Sequence, residues 1–375
     1  MIYVNPEVIS IDPVRFPPPG EDEVLSARNT ECLLLNNEFE VIGNAEVYYA
    51  ARRCGERWVR AQKIIDYAHA PEYPDRFSVE ISSKCNYACI MCPRSALRRP
   101  QQFMDDRMFY RIVDDLAAHP SVKLVDLYRL GESTYHPKFW DFLDYLDRLP
   151  RSLPLILATN GSLIDENQLG RLLNSSLSLL VVSINALDRN TYRTVTGGKG
   201  ELATVLALVK KAKRLRRGRK PFFGLQFVEQ EITADLVEPF LNSYIEYADY
   251  IGASQLEDFA GQVFQNTRFM MEHNLDAEKL PERIPCPRAL WGQFRIYSNG
   301  DVVPCICDIN AEHLKMGNVN DASIAEIFCS PRWREFRELH RTRYRELPPH
   351  SFCGQCREWM IYSAGNRTHR VVCNL

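Results

Sequence analysis

The chain has 375 residues and a formal net charge of -2, enough length for about two domains and no global bias toward nucleic acid or anionic lipid. No apolar run is long enough to span a membrane, and the N-terminus MIYVNPEVISIDPVRFPPPG lacks an apolar signal core, so a cytoplasmic enzyme acting on small molecules or peptides is expected. Twelve cysteines without a secretion signal favour metal over disulfides.

Residues 1–75 begin with Pro13, Pro17, Pro18 and Pro19, and the spacing of Val47, Ala51, Cys54, Val59 and Ile64 predicts a helix within 44–70. Nothing in this N-terminal extension names a role. From 76 to 265, strand-like and helix-like segments alternate. The strands are FSVEIS (77–82), VKLVDLYR (122–129), LPLILATN (153–160), LSLLVVSIN (177–185), FFGLQFV (222–228) and DYIGASQL (249–256). The helices fall at 105–119, 136–149, 165–174, 201–218 and 234–248, several opened by an Asp or Thr cap. Six such βα units predict an α/β fold with a parallel sheet. The polar segment QNTRFMMEHNLDAEKLPERIP (265–285) marks a boundary before a C-terminal unit at 266–375.

Cys85, Cys89 and Cys92 crowd one loop directly after the first of these strands, where strand C-termini build active sites. Three thiolates on one loop hold three irons of a [4Fe–4S] cluster and leave the fourth iron open. A structural zinc site wants four ligands, and no fourth Cys or His lies in this loop.

The segment ISSKCNYACIMCPR (81–94) resembles the signature loop of the radical S-adenosylmethionine (SAM) superfamily, and residues 76–265 resemble its partial (β/α)6 barrel. The resemblance implies a cluster on Cys85, Cys89 and Cys92 that binds SAM. It further implies reductive cleavage to methionine and a 5′-deoxyadenosyl radical that abstracts a substrate hydrogen, with a flavodoxin or ferredoxin as reductant. Gly131 and Glu132 match the motif that approaches the SAM ammonium, with Leu130 where a further glycine is usual. Asn160, before Gly161, and Ser183 with Asn185 fall at the next two strand ends, where relatives contact the ribose and carboxylate. Tyr87 sits where an aromatic often covers the cluster or adenine.

In the last quarter, Asn299-Gly300-Asp301 predicts a hairpin turn that brings Cys286 and Cys305 together, and Cys353-x2-Cys356 supplies two more thiolates. Spacing alone leaves zinc and [4Fe–4S] both open. The pattern resembles the SPASM domain and its shorter relative, twitch, which implies a second, auxiliary [4Fe–4S] cluster on Cys286, Cys305, Cys353 and Cys356. A cluster with four protein ligands suits electron transfer. The single-auxiliary-cluster plan is similar to that of an aminocyclitol dehydrogenase, which implies oxidation of an aminocyclitol, amino sugar or similar natural product. Glu257 and Asp258, after the last barrel strand, are expected at the cavity mouth as substrate ligands or proton acceptors. Two rival readings are a redox-neutral epimerase, with Cys307 returning the hydrogen atom, and a ribosomal-peptide maturase, whose leader-binding strands are not evident in residues 1–75. The basic run KKAKRLRRGRK (210–220) ends a predicted helix and reads as a solvated face, not a nucleic-acid site.

Overall fold

The computed structural model describes residues 73–359, except 123, 217–220, 255, 258, 264–265, 267–282, 284, 287–288 and 290–293, together with the strands at 39–43, 48–54, 57–58 and 370–373. Asp258, Cys32 and most of the expected boundary segment lie outside the described residues, as do the side chains of Cys54 and Cys373.

Six parallel strands form the centre: β4 (Arg76–Val79), β5 (Leu124–Asp126), β6 (Leu155–Thr159), β7 (Leu177–Ser183), β8 (Phe222–Val228) and β9 (Tyr250–Ser254). They pair in chain order, as expected for successive βα units. These strands read as apolar runs because a parallel sheet is covered on both faces. Helices at Asp106–Ala118, Phe139–Leu146, Glu166–Leu173 and Leu202–Leu215 lie between them. Asp105 caps the first through the Met108 amide, and Asp165 with Gln168 forms a capping box on the third. The first two helices meet through Phe109 and Phe142, stacked at 4.0 Å. The segment expected as one helix over 234–248 is instead a 3-10 turn (Glu231–Leu236), an α-helix (Val237–Tyr244) and a second 3-10 turn (Ile245–Tyr247). Among the described residues, no helix is long and apolar enough to cross a membrane.

One feature departs further from the sequence reading. The helix expected within 44–70 is replaced, where described, by strands β2 (Tyr48–Cys54) and β3 (Arg57–Trp58), which join β1 (Phe39–Gly43) in an antiparallel sheet. Gly43-Asn44 and Cys54-Gly55 are turn chemistry, and Gly55 falls inside the span assigned to helix. The C-terminal unit adds strands to both edges of the barrel sheet. Strand β10 (Phe294–Ile296) pairs in parallel with β4, and β11 (Asp301–Val303) and β12 (Gly317–Asn318) extend the sheet outward. At the other edge β13 (Arg370–Cys373) runs antiparallel to β9.

The expected hairpin is present. Gly300 takes the left-handed conformation (φ 86°) between β10 and β11, and its amide donates to the Tyr297 carbonyl at 2.8 Å. The hairpin is bolted to the barrel by buried charge. Arg99 makes two 2.7 Å bonds to the Glu80 carboxylate, a third at 2.8 Å to the Ile309 carbonyl, and lies 4.0 Å over the Tyr297 ring. Asn310 accepts from the Arg98 amide at 2.7 Å and donates to the Ala96 carbonyl at 3.2 Å. The stretch just after the first cysteine loop is thereby tied to the stretch just after Cys307. Helix Pro331–Thr342 closes this end, its fully buried Trp333 stacked on Phe294 at 5.3 Å.

Candidate active site and second thiol cluster

The first cysteine loop leaves β4 and rests on the turn that follows helix Arg189–Val195. The Ala88 and Ile90 amides donate to the Thr196 and Val195 carbonyls at 3.3 and 2.9 Å. Gly197 permits that approach, because a Cβ there would stand 2.2 Å from the Ala88 carbonyl oxygen. Burial pushes the Cys85 thiol up to about 11 and raises those of Cys89 and Cys92, with Arg94 opposing the shift at all three. Iron binding at these sulfurs therefore releases protons.

Cys85, Cys89 and Cys92 line a cavity of about 350 Å3 at the C-terminal ends of the barrel strands. Tyr87, Gly131, Glu132, Asn160, Ser183 and Asn185 line the same cavity, as does Glu257. The size fits a cofactor or small ligand. Residues chosen at separate strand ends thus converge on one volume.

Glu132 is held more tightly than the sequence implied. Its Oε1 accepts from the Thr134 amide (3.1 Å), the Thr134 hydroxyl (2.7 Å) and the Thr159 hydroxyl (2.8 Å), and Oε2 accepts from the Asn160 amide (2.8 Å). Burial raises its pKa, and these donors oppose the rise. Most of its acceptor capacity locks the ends of β5 and β6 together, which leaves Oε2 the better placed for an incoming cation. Glu132→Gln is therefore expected to weaken SAM binding by about tenfold or more, since the amide turns one acceptor into a donor facing donors. Calorimetric titration of SAM into anaerobic protein measures this; wild-type affinity would make Glu132 a bystander.

Asn160 donates to Asn86 Oδ1 at 2.9 Å, and Asn86 donates to Ser162 at 2.8 Å, so the cavity wall is tied back to the cysteine loop. Asn185 Oδ1 accepts from the Val228 amide at 2.9 Å and joins the ends of β7 and β8. Tyr87 is 4% exposed and packs in the main core. Arg129, Gln226, Ser254 and Phe259 also line the cavity and escaped the sequence reading. The signal for Gln226 and Ser254 was present: polar residues within otherwise apolar strands, joined here by a 2.6 Å bond.

Cys286, Cys305, Cys307, Cys353 and Cys356 line a second, smaller cavity together with His340. Among the described residues, no three His, Cys, Asp or Glu side chains converge as a single metal ion requires. A multi-iron cluster spreads its thiolates around its edges and has no need of such convergence. Cys307 does not face the first cavity, as the epimerase reading requires. It is fully buried, its amide lies 3.4 Å from Cys305 Sγ, and hydrogen bonds to Cys305 and Cys356 push its thiol pKa up. Cys329 is exposed and lies at neither cavity. His340 is driven down to about 4 by burial and by the nearby Arg283, so its ring is neutral.

One buried apolar cluster reaches both sites. Leu130 lines the first cavity and shares with Phe259 a buried cluster that includes Cys305 and Cys307. The segment after β9 anchors to both. Asn266 donates to the Met91 carbonyl at 3.0 Å, and Gln262 donates to the Cys307 carbonyl. Phe259 and Ala260 carry positive φ of 54° and 59°, strain of the kind that gathers at functional sites.

A parallel six-stranded partial barrel with a thiol-bearing loop over its C-terminal cavity defines an iron–sulfur enzyme of the barrel type. Residues 79–223 match the Radical SAM superfamily, and residues 286–357 match SPASM, an iron–sulfur cluster-binding domain. The chain is a radical SAM enzyme with a C-terminal SPASM domain, a pair that implies a SAM-binding [4Fe–4S] cluster and auxiliary iron–sulfur binding. It is 25% identical over 300 residues to the tungsten-containing aldehyde ferredoxin oxidoreductase cofactor-modifying protein of Pyrococcus furiosus, covering 69% of this chain and 82% of the relative. It is 20% identical over 269 residues to the S-adenosyl-L-methionine-dependent 2-deoxy-scyllo-inosamine dehydrogenase of Niallia circulans, covering 71% and 87%. Among solved structures it is similar to Streptococcus suis SuiB bound to precursor peptide SuiA, with a TM-score of 0.57 and 16% identity over 72% of this chain and 67% of that one.

Proposed function

We propose that this enzyme oxidises a carbinol of a polar small molecule, such as an aminocyclitol or amino sugar, by two electrons. In this reading residues 76–265 form the radical SAM barrel, 266–375 the auxiliary-cluster domain and 1–75 an extension. Cys85, Cys89 and Cys92 hold the SAM-binding cluster, and Cys286, Cys305, Cys353 and Cys356 hold the auxiliary one. Bound SAM, reduced by a flavodoxin or ferredoxin, supplies a 5′-deoxyadenosyl radical that takes the carbinol hydrogen atom. The hydroxyl then loses its proton to Glu257, which lines the cavity, and the remaining electron passes to the auxiliary site, leaving a carbonyl. Asp258 is assigned with Glu257 to the cavity mouth. Glu132, Asn160, Ser183 and Asn185 position SAM, and Tyr87 covers the cluster side of the cavity.

The observation that carries this reading is the shared buried cluster in which Leu130 and Phe259, which line the first cavity, join Cys305 and Cys307, which line the second. The dehydrogenase of Niallia circulans supports the substrate class. Burial of Cys307 beside Cys305 and Cys356, away from the substrate cavity, disfavours the epimerase. A peptide substrate is the second reading. The antiparallel sheet β1–β3 offers edges to which an extended peptide can add, and SuiB binds a precursor peptide.

The test is anaerobic turnover with SAM and reductant over a panel of aminocyclitols and amino sugars, with iron counted in parallel. The expected product is two mass units lighter than its substrate. Wild type should hold about eight irons, and a Cys85/Cys89/Cys92→Ala triple variant about four with no SAM cleavage. A product of unchanged mass in H2O that is one mass unit heavier when formed in D2O would replace oxidation by epimerisation.

A further inference from the structure

His340 is 2% exposed, and among the described residues neither of its ring nitrogens has a hydrogen-bond partner. Buried polar groups are almost always paired, so two unpaired nitrogens on one ring call for a partner from elsewhere. The ring lines the cavity of the five cysteines. Its position is fixed rather than incidental. Helix Pro331–Thr342 is pinned by the Trp333 stack on β10, and Phe336 packs on the His340 ring at 4.7 Å. Trp333, Phe336 and His340 share the buried face of that helix.

A hydrocarbon side chain would fill this site without leaving unpaired nitrogens. Besides the cysteines, Arg283, Ala289, Phe336, Phe352 and Trp359 line the cavity, and none of these five side chains offers an acceptor, which leaves the sulfurs. Four thiolates saturate the irons of a cubane, and Cys307 is a fifth thiol, so no iron is left for the imidazole. Sulfur acceptors are plentiful.

We propose that His340 is a positioning residue for the auxiliary cluster, donating its ring N–H to a cluster sulfur and so raising the cluster's reduction potential. A hydrogen bond to sulfur stabilises the extra negative charge of the reduced cluster, and such bonds are among the protein's means of setting potentials. The histidine thereby makes the auxiliary site a better acceptor for the electron left on the substrate. This inference rests on the auxiliary cluster assigned above.

The test uses reconstituted holoenzyme: wild type, His340→Phe and His340→Gln, the last keeping an N–H donor. Iron per chain is counted, and each cluster's midpoint potential is read by EPR-monitored titration. The expected result for His340→Phe is about eight irons and a tenfold fall in the reduction equilibrium of the auxiliary cluster, about 59 mV for one electron. The SAM-binding cluster should be unmoved, and His340→Gln should recover much of the shift. An unchanged auxiliary potential overturns the proposal. So does a folded His340→Phe variant with about four irons, which would make His340 a ligand. Wild type labelled with 15N-histidine decides the matter if the variants do not fold. A weak nitrogen coupling to the reduced auxiliary cluster supports the hydrogen bond, and either no coupling or a coupling of directly ligated strength overturns it. Wild type with only about four irons removes the auxiliary cluster itself, a failure of the functional reading that iron counting separates from failure of the histidine's role.

Discussion

Arg99→Met is expected to destabilise the protein by about 3–5 kcal/mol, because it strands the Glu80 carboxylate in the interior. The side chains of Glu80 and Arg99 are 0% and 5% exposed. With the guanidinium gone, Glu80 Oε1 keeps only the Ser298 amide at 3.2 Å and hydroxyl at 3.1 Å. Two weak donors do not offset the desolvation of a full charge. Denaturant midpoints of the anaerobic protein measure the loss, with Arg98→Met as the control. Arg98 pairs with Glu312 at the surface, its side chain 60% exposed, and its removal should shift the midpoint little. A double variant, Glu80→Leu with Arg99→Met, should recover much of the stability, because the cost lies in the uncompensated charge. A midpoint for Arg99→Met matching that of Arg98→Met would show that the clamp contributes nothing. The clamp also matters for function, since it ties the exit of the first cysteine loop to the Ile309 carbonyl just beyond Cys307.

What the sequence could show and what it could not divide along range of interaction. The six barrel strands were legible because each is a local apolar run with turn chemistry at its ends, and a parallel sheet has no other way to be buried. The cysteine loop was legible because its three thiols sit within eight residues of one another, from Cys85 to Cys92. Gly131, Asn160 and Ser183 could be placed on one cavity wall because strand C-termini can be counted before they are seen to converge. The pairing of β10 with β4 had no local signature. FRI (294–296) is an unremarkable apolar triplet, and its partner lies at the other end of the barrel in sequence. The Glu80–Arg99 pair was hidden for the same reason: a lone acid and a lone base give no sign of the chain segment that buries them.

The N-terminal misreading is of another kind. Val47, Ala51 and Cys54 fit helical spacing, but so few positions fit a strand equally well, and Gly55 argued for the strand. Cys307 shows the limit of counting thiols. Spacing made it spare, and spare thiols invite a catalytic role, yet its position in β11's exit loop buries it beside Cys305 and Cys356. His340 had no signal beyond its place on the buried face of an amphipathic helix, where a core histidine is the ordinary reading. What distinguishes it is that its ring has no hydrogen-bond partner among the described residues while it lines the cavity of the cysteines.

Gly131→Ala is expected to damage the active site severely for a change of one methyl group. A Cβ at Gly131 would stand 2.2 Å from the Ser82 carbonyl oxygen and 2.5 Å from that of Lys84. Both obstacles are backbone atoms and neither can rotate away. Ser82 is held by its hydroxyl bond to the Lys84 carbonyl at 2.9 Å, and that carbonyl also accepts from the Glu132 amide at 2.9 Å. The clash therefore drives the tip of β5 away from the tip of β4 where Cys85 begins, and pulls Glu132 out of register with Thr159 and Asn160 at the same time. Overpacking of this kind costs about 1–3 kcal/mol, and the displacement should weaken SAM binding by tenfold or more and lower iron retention in the first cluster. Gly170→Ala is the matched control. Gly170 lies within helix Glu166–Leu173 with nothing within 4 Å of an added Cβ, so alanine there should stabilise the helix by about 1 kcal/mol and leave SAM binding unchanged. Thermal melts and SAM titrations of the two variants separate the effects. If Gly131→Ala binds SAM with wild-type affinity, the close approach of β5 to the cysteine loop is not what shapes the site, and the assignment of Gly131 and Glu132 to SAM falls with it.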